Sequence, residues 1–88
     1  MDPKYDFVRN IGVSLQRDEA IVLGHYLGRE LWRHADARLK PTFEHPSEPH
    51  SLKALLQELS YELMDTGNPK EYDAIIAAAQ EHLLRWFT

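Results

Sequence analysis

Five histidines are the residues of this sequence best suited to chemistry near neutral pH, because imidazole titrates there and binds transition metals, and the chain contains no cysteine. The densest group is Glu44, His45, Glu48 and His50, two imidazoles and two carboxylates within seven residues. Zinc or copper could be held by such donors, but a structural site needs a fourth ligand fixed by the fold, and a metal-binding spacing such as HExxH is absent. No metal ligand is therefore assigned. A metal- or histidine-dependent activity at 44–50 stands as the alternative to a non-enzymatic role. Glu30 and His34 lie four apart, the spacing of a surface contact on a helix. His25 lies nine residues before His34, on another part of that surface, and no Glu-x-x-His pair of the di-iron type occurs. His82, one turn before the end of its segment, suits the negative end of a helix dipole.

Nucleophilic and phosphate chemistry find less support. The serines, at 14, 47, 51 and 60, include none in a Gly-x-Ser-x-Gly turn, and the glycines, at 12, 24, 28 and 67, do not gather into a phosphate loop. Glu58 and Glu62 share a helical face, where like charges four apart are ordinarily solvated. The reading is of a chain with no catalytic residue and no cofactor.

Surfaces for partners are better represented. Arg29, Trp32, Arg33 and Arg38 interleave arginines with an aromatic ring, the one feature that resembles a nucleic-acid contact. The charge balance argues against that use: residues 1–43 carry seven Lys/Arg and six Asp/Glu, residues 44–88 three and eight, for a net −4 overall. An acidic second half instead suits electrostatic steering toward a basic protein. The expected partner-binding residues are Glu58, Glu62 and Glu81 on the acidic side, with Trp32, Trp86 and Phe87 as apolar anchors. A non-enzymatic protein-interaction module follows, of the immunity-protein, antitoxin or regulatory-adaptor kind, with a homodimer as a further expectation.

The elements that must position these groups are marked by proline and glycine. In the last segment, Asn68-Pro69-Lys70-Glu71 supplies a cap, a proline at the first helical position and a glutamate at the third. Tyr72, Ile75, Ile76, Ala79, Leu83, Trp86 and Phe87 then follow at helical spacing. In the third segment, Ser51 to Thr66, Leu52, Leu55, Leu56, Leu59 and Leu63 share a face, with Ser51 as the cap and Gly67 as the stop. The short link from Thr66 to Asn68 predicts an antiparallel hairpin of these two helices. The second segment, Asp18 to about Leu39, sets Ala20, Leu23, Leu27, Leu31 and Ala35 along one side. Ile21, Val22, Tyr26 and Trp32 widen this stripe enough for two neighbours.

Gly24 and Gly28 cost that helix roughly 1 kcal/mol each in propensity, which predicts close approach of another backbone. Three prolines in Lys40 to His50 predict an extended connection. The first segment reads two ways: Tyr5, Val8, Ile11, Gly12 and Leu15 as a short helix, the preferred reading, or Ile11 to Leu15 as an alternating, extended arm.

At 88 residues, with 43% hydrophobic and 27% charged side chains, the chain has room for one core and enough apolar residues to form it. The expectation is a single helical domain, 1–88, of the all-α class: a small four-helix bundle with a hairpin at its C-terminal side. No apolar run approaches the roughly 20 residues of a membrane span, the N-terminus lacks the order of a signal peptide, and the absence of cysteine fits a cytoplasmic location.

Overall fold

The computed structural model describes residues 3–63 and 69–87, with side chains described for 4–60 and 71–85. Regular structure among these residues is entirely helical: α1 (Arg17–Gly28), α2 (Glu48–Leu63) and α3 (Pro69–Phe87), with short 3₁₀ turns at Pro3–Tyr5 and Lys40–Thr42. Three helices stand where four were expected. The first segment is the one that differs: after the turn at Pro3–Tyr5, residues 10–16 have no regular structure. Gly12 and the β-branched Val8, Ile11 and Val13 are weak helix formers, and without a surface to bury one face nothing offsets that weakness.

Gln16, in an extended conformation, precedes α1, and the Glu19 carboxylate accepts its N–H at 2.9 Å. Asp18 accepts the Glu19 N–H at 2.8 Å, so two carboxylates sit against the positive end of the helix dipole. Beyond Gly28 the helix widens into a π turn, Arg29–Arg33, where the His34 N–H bonds the Arg29 carbonyl five residues back at 3.0 Å. Ala35 and Asp36 then take φ of 47° and 55°, which stops the helix six residues before the expected Leu39.

Burial of Glu30 explains this early stop. Its side chain faces inward, and the Asp36 N–H folds back onto its carbonyl at 2.8 Å. Arg38 then lies over the carboxylate. In an uninterrupted helix Arg38 would sit about 12 Å further along the axis, out of reach.

α1 is the hub of the packing. Leu27 and Leu31 bury against Leu56 and Leu59 of α2, with Ala20, Leu23, Leu39 and Leu52 around them. A second cluster joins Ile21 to Ile76 and Ala79 of α3, flanked by Val22, Tyr72 and Ile75. The wide stripe on this helix therefore does serve two neighbours. Leu56, 1% exposed, is the most deeply buried of the described side chains.

Polar contacts set the direction of α3. Asp18, at the start of α1, pairs with His82 near the end of α3, while His25, late in α1, meets the Tyr72 hydroxyl at 3.3 Å near the start of α3. These two helices run antiparallel. Among the described residues, both apolar clusters draw on α1, so the expected hairpin of the last two helices is not what builds the core. The hairpin's link, with Gly67 and the Asn68 cap, lies outside the described residues.

α2 starts three residues earlier than Ser51. Glu48 and Pro49 occupy its first turn, where a missing proline N–H costs nothing because that group has no intrahelical partner. Pro41 likewise sits within a 3₁₀ turn. The expected eleven-residue extended connection is therefore only the short stretch from Phe43 to Ser47 between two helical turns.

Candidate functional site

Two concave surfaces flank α1. The smaller, a groove of about 520 Å³, has Gly24, Gly28 and Leu56 among its lining and Trp32, Arg33 and Tyr72 at its sides. Helical spacing brings Gly24 and Gly28 of α1 and Trp32 of the π turn to the same side, where all three line the groove. Among the described residues, a Cβ at Gly28 would meet only the Trp32 ring, at 3.9 Å, and no backbone of another element, so the expected close backbone approach is not seen at this glycine. Trp32 is 64% exposed rather than part of the core.

The turn that carries Trp32 is fixed electrostatically. Glu30, 4% exposed, accepts from Arg38 Nε at 2.9 Å and from Arg29 Nε at 3.1 Å, and an Arg38 terminal nitrogen bonds its other side. The Arg38 hydrogen bonds pull the Glu30 carboxyl down to about 2 against the opposing effect of burial, with Arg29 adding to the pull. Arg29 also lies 5.4 Å from the centre of the Tyr26 ring. Two of the three arginines that suggested a nucleic-acid contact are thus engaged in holding an internal carboxylate.

The larger surface is a cleft of about 820 Å³ between the N-terminal arm and helices α1 and α2. Ile11, Val13 and Leu15 of the arm border it opposite Ala20, Leu55 and Leu59. The arm does not seat: Phe7, Val8, Ile11 and Val13 are each between 76 and 89% exposed. Leu55, expected in the core stripe of α2, is partly exposed at this cleft.

Of the residues expected to bind a partner, the three whose side chains are described, Glu58, Trp32 and Glu81, do not gather in one place. Glu58 is exposed at the arm cleft, Trp32 borders the glycine groove, and Glu81 is exposed on α3, paired with Arg85 at 2.8 Å one turn on. The side chains of Glu62, Trp86 and Phe87 lie outside the described residues. His34 does not meet Glu30, whose carboxylate is taken by the two arginines.

The 44–50 group is engaged in local structure. His45 Nδ1 accepts the Ser47 N–H at 3.1 Å and contacts its hydroxyl at 2.8 Å, while Glu48 accepts the Glu44 N–H at 3.2 Å. Among the described residues no three His, Asp or Glu side chains converge as metal ligands would. No described helix is long and apolar enough to cross a membrane.

Sequence reasoning missed Glu30 as a buried charge. A signal was present in the arginines at 29 and 38 on either side of it, but the reversal that brings Arg38 back has no glycine or proline to announce it. No family model, characterised protein or solved structure matches the chain.

Proposed function

We propose that the chain is a non-enzymatic protein-interaction module that anchors a partner on Trp32. The observation that carries this reading is the exposure of that ring beside a hollow floored by two glycines and a leucine, on a turn held by the Glu30–Arg38 pair. Large aromatic side chains on rigid supports lose little conformational freedom when covered, and tryptophan is enriched among the residues that dominate binding energy. The net charge of −4, with exposed Glu58 and Glu81, steers a basic partner toward the molecule, while Glu30 offsets the Arg29 charge near the groove. A cytoplasmic location belongs to the same reading.

The test is native mass spectrometry of the protein isolated gently from its source, followed by affinity measurements with the partner so found. A stoichiometric complex is expected, weakened at least about tenfold by Trp32→Ala at unchanged thermal midpoint, in line with loss of a hot-spot side chain. Glu58→Lys with Glu81→Lys should lower the association rate and flatten its salt dependence. An unaltered affinity in Trp32→Ala, or the absence of any bound protein, contradicts the proposal.

A further inference from the structure

Local sequence and tertiary contact pull the end of α1 in opposite directions. From His34 to Leu39 the residues are His, Ala, Asp, Ala, Arg and Leu, most of them strong helix formers, and Leu27, Leu31, Ala35 and Leu39 continue one helical face at intervals of four. Neither glycine nor proline interrupts the chain between Gly28 and Pro41. The backbone nevertheless reverses. Ala35 and Asp36 take φ of 47° and 55°, in the left-handed region that a Cβ disfavours, and the preceding turn, Arg29–Arg33, is wound as a π turn. Residues with side chains stay in that region only where surrounding contacts over-determine them.

The contacts that hold the reversal centre on Glu30. Arg38 bonds both oxygens of its buried carboxylate, and the Asp36 N–H bonds its carbonyl at 2.8 Å. Leu39 then packs on the cluster of Leu27, Leu31, Leu56 and Leu59. Straightening would carry Arg38 out of reach of Glu30 and Leu39 off the cluster. In exchange, Ala35 and Asp36 would regain right-handed dihedrals and residues 34–39 would gain regular helical hydrogen bonds. The bidentate, charge-assisted pair is the strongest of the contacts that the straight form lacks.

We propose that the end of α1 is a two-state element: with Glu30 and Arg38 paired the chain reverses at Ala35 and Asp36, and with the pair broken α1 continues as regular helix to Leu39. The Arg38 side chain is 56% exposed, so the pair opens from the solvent side without entry to the core. Trp32 registers the change. Each residue of a π turn advances less around the axis than one of an α turn, so straightening turns Trp32 away from the line of Gly24 and Gly28 and alters the groove it borders. A partner that binds the clamped form would draw the population toward it. That consequence rests on the reading of Trp32 as an anchor; the two courses of the backbone do not, and their test reads the backbone alone.

Backbone chemical shifts and nuclear Overhauser effects of the full chain supply the test. In Glu30→Gln, which removes the charge that Arg38 grips, the Cα shifts of His34 to Leu39 should move to helical values, with contacts from Hα to the N–H three residues on appearing through the same stretch. Adding Ala35→Gly and Asp36→Gly, which ease left-handed backbone and weaken helix, should restore the wild-type pattern. Arg38→Met breaks the pair from the other side while keeping a strong helix former, and should repeat the change. Should Glu30→Gln fail to fold, Arg38→Met decides. Wild-type shifts at 34–39 in the folded variant, shifts of a disordered chain there, or a helix that survives the two added glycines overturns the proposal. Failure of the Trp32 reading appears instead in partner affinity, which none of these shifts measures.

Discussion

Arg38 grips Glu30 from across the left-handed turn at Ala35 and Asp36, with its Nε 2.9 Å from one carboxylate oxygen and a terminal nitrogen on the other. The two residues are eight apart in sequence, and the pair exists only because the helix ends between them. Two-point contact of this kind fixes orientation as well as charge, which is how a short non-glycine reversal can be held in one conformation beside Trp32.

Acid should release this clamp. Glu30 has an ordinary carboxyl value near 4.5 when unfolded and about 2 when folded, so the folded state binds its proton less readily. The stabilisation is fully present above about pH 4.5 and is lost as pH falls through about 2. The His82 contact likewise holds Asp18 below its ordinary value, so that carboxylate adds a loss of the same sign. Thermal midpoints recorded from neutral pH down to about 2 should decline through this window, and Glu30→Gln should be less stable at neutral pH with a shallower acid limb. An acid limb of wild-type steepness in Glu30→Gln would remove Glu30 as its cause.

Packing through α1 makes a separate prediction for each of its two faces. Leu56→Ala should cost about 2–5 kcal/mol and Ile76→Val about 0.5–1.5 kcal/mol, while Leu55→Ala, at a partly exposed position, should stay within about 1 kcal/mol. Because Leu56 and Ile76 belong to different clusters, their combined effect should equal the sum of the two to within about 0.5 kcal/mol. Urea unfolding measures all of these. A coupling well above that limit would show one continuous core in place of two joined by α1.

The sequence made the regular parts legible for a local reason. Ala20, Leu23, Leu27 and Leu31 repeat at helical spacing and bury together, and Ile75, Ile76 and Ala79 do the same on α3. Even the double role of α1 was visible in the extra width that Ile21 and Val22 add. The end of α1 was not visible, because it depends on a tertiary reward, the pairing of Glu30 with Arg38, and uses alanine and aspartate at positive φ where glycine would have marked the turn.

Pro49 misled for the opposite reason: proline breaks a helix interior yet is accommodated in a first turn. For the arm, both readings were open in the residues, and the structure has no helix there: the arm does not seat against the cleft of α1 and α2 that it borders, so no face of it is buried. Of the candidate site, Trp32 and the glycines were legible as residue types, but their meeting in one groove required the helix to place them.

Amide hydrogen exchange on the dilute protein is the most direct test of the central claim, that an α1-centred core carries the fold and leaves the arm and Trp32 outside it. Amides of Asn10 to Leu15 should exchange at nearly unprotected rates, while those of Leu27, Leu56 and Ile76 are protected by global stability. Strong protection of the arm amides, or exchange at Leu27, Leu56 or Ile76 as fast as in the arm, would contradict the account.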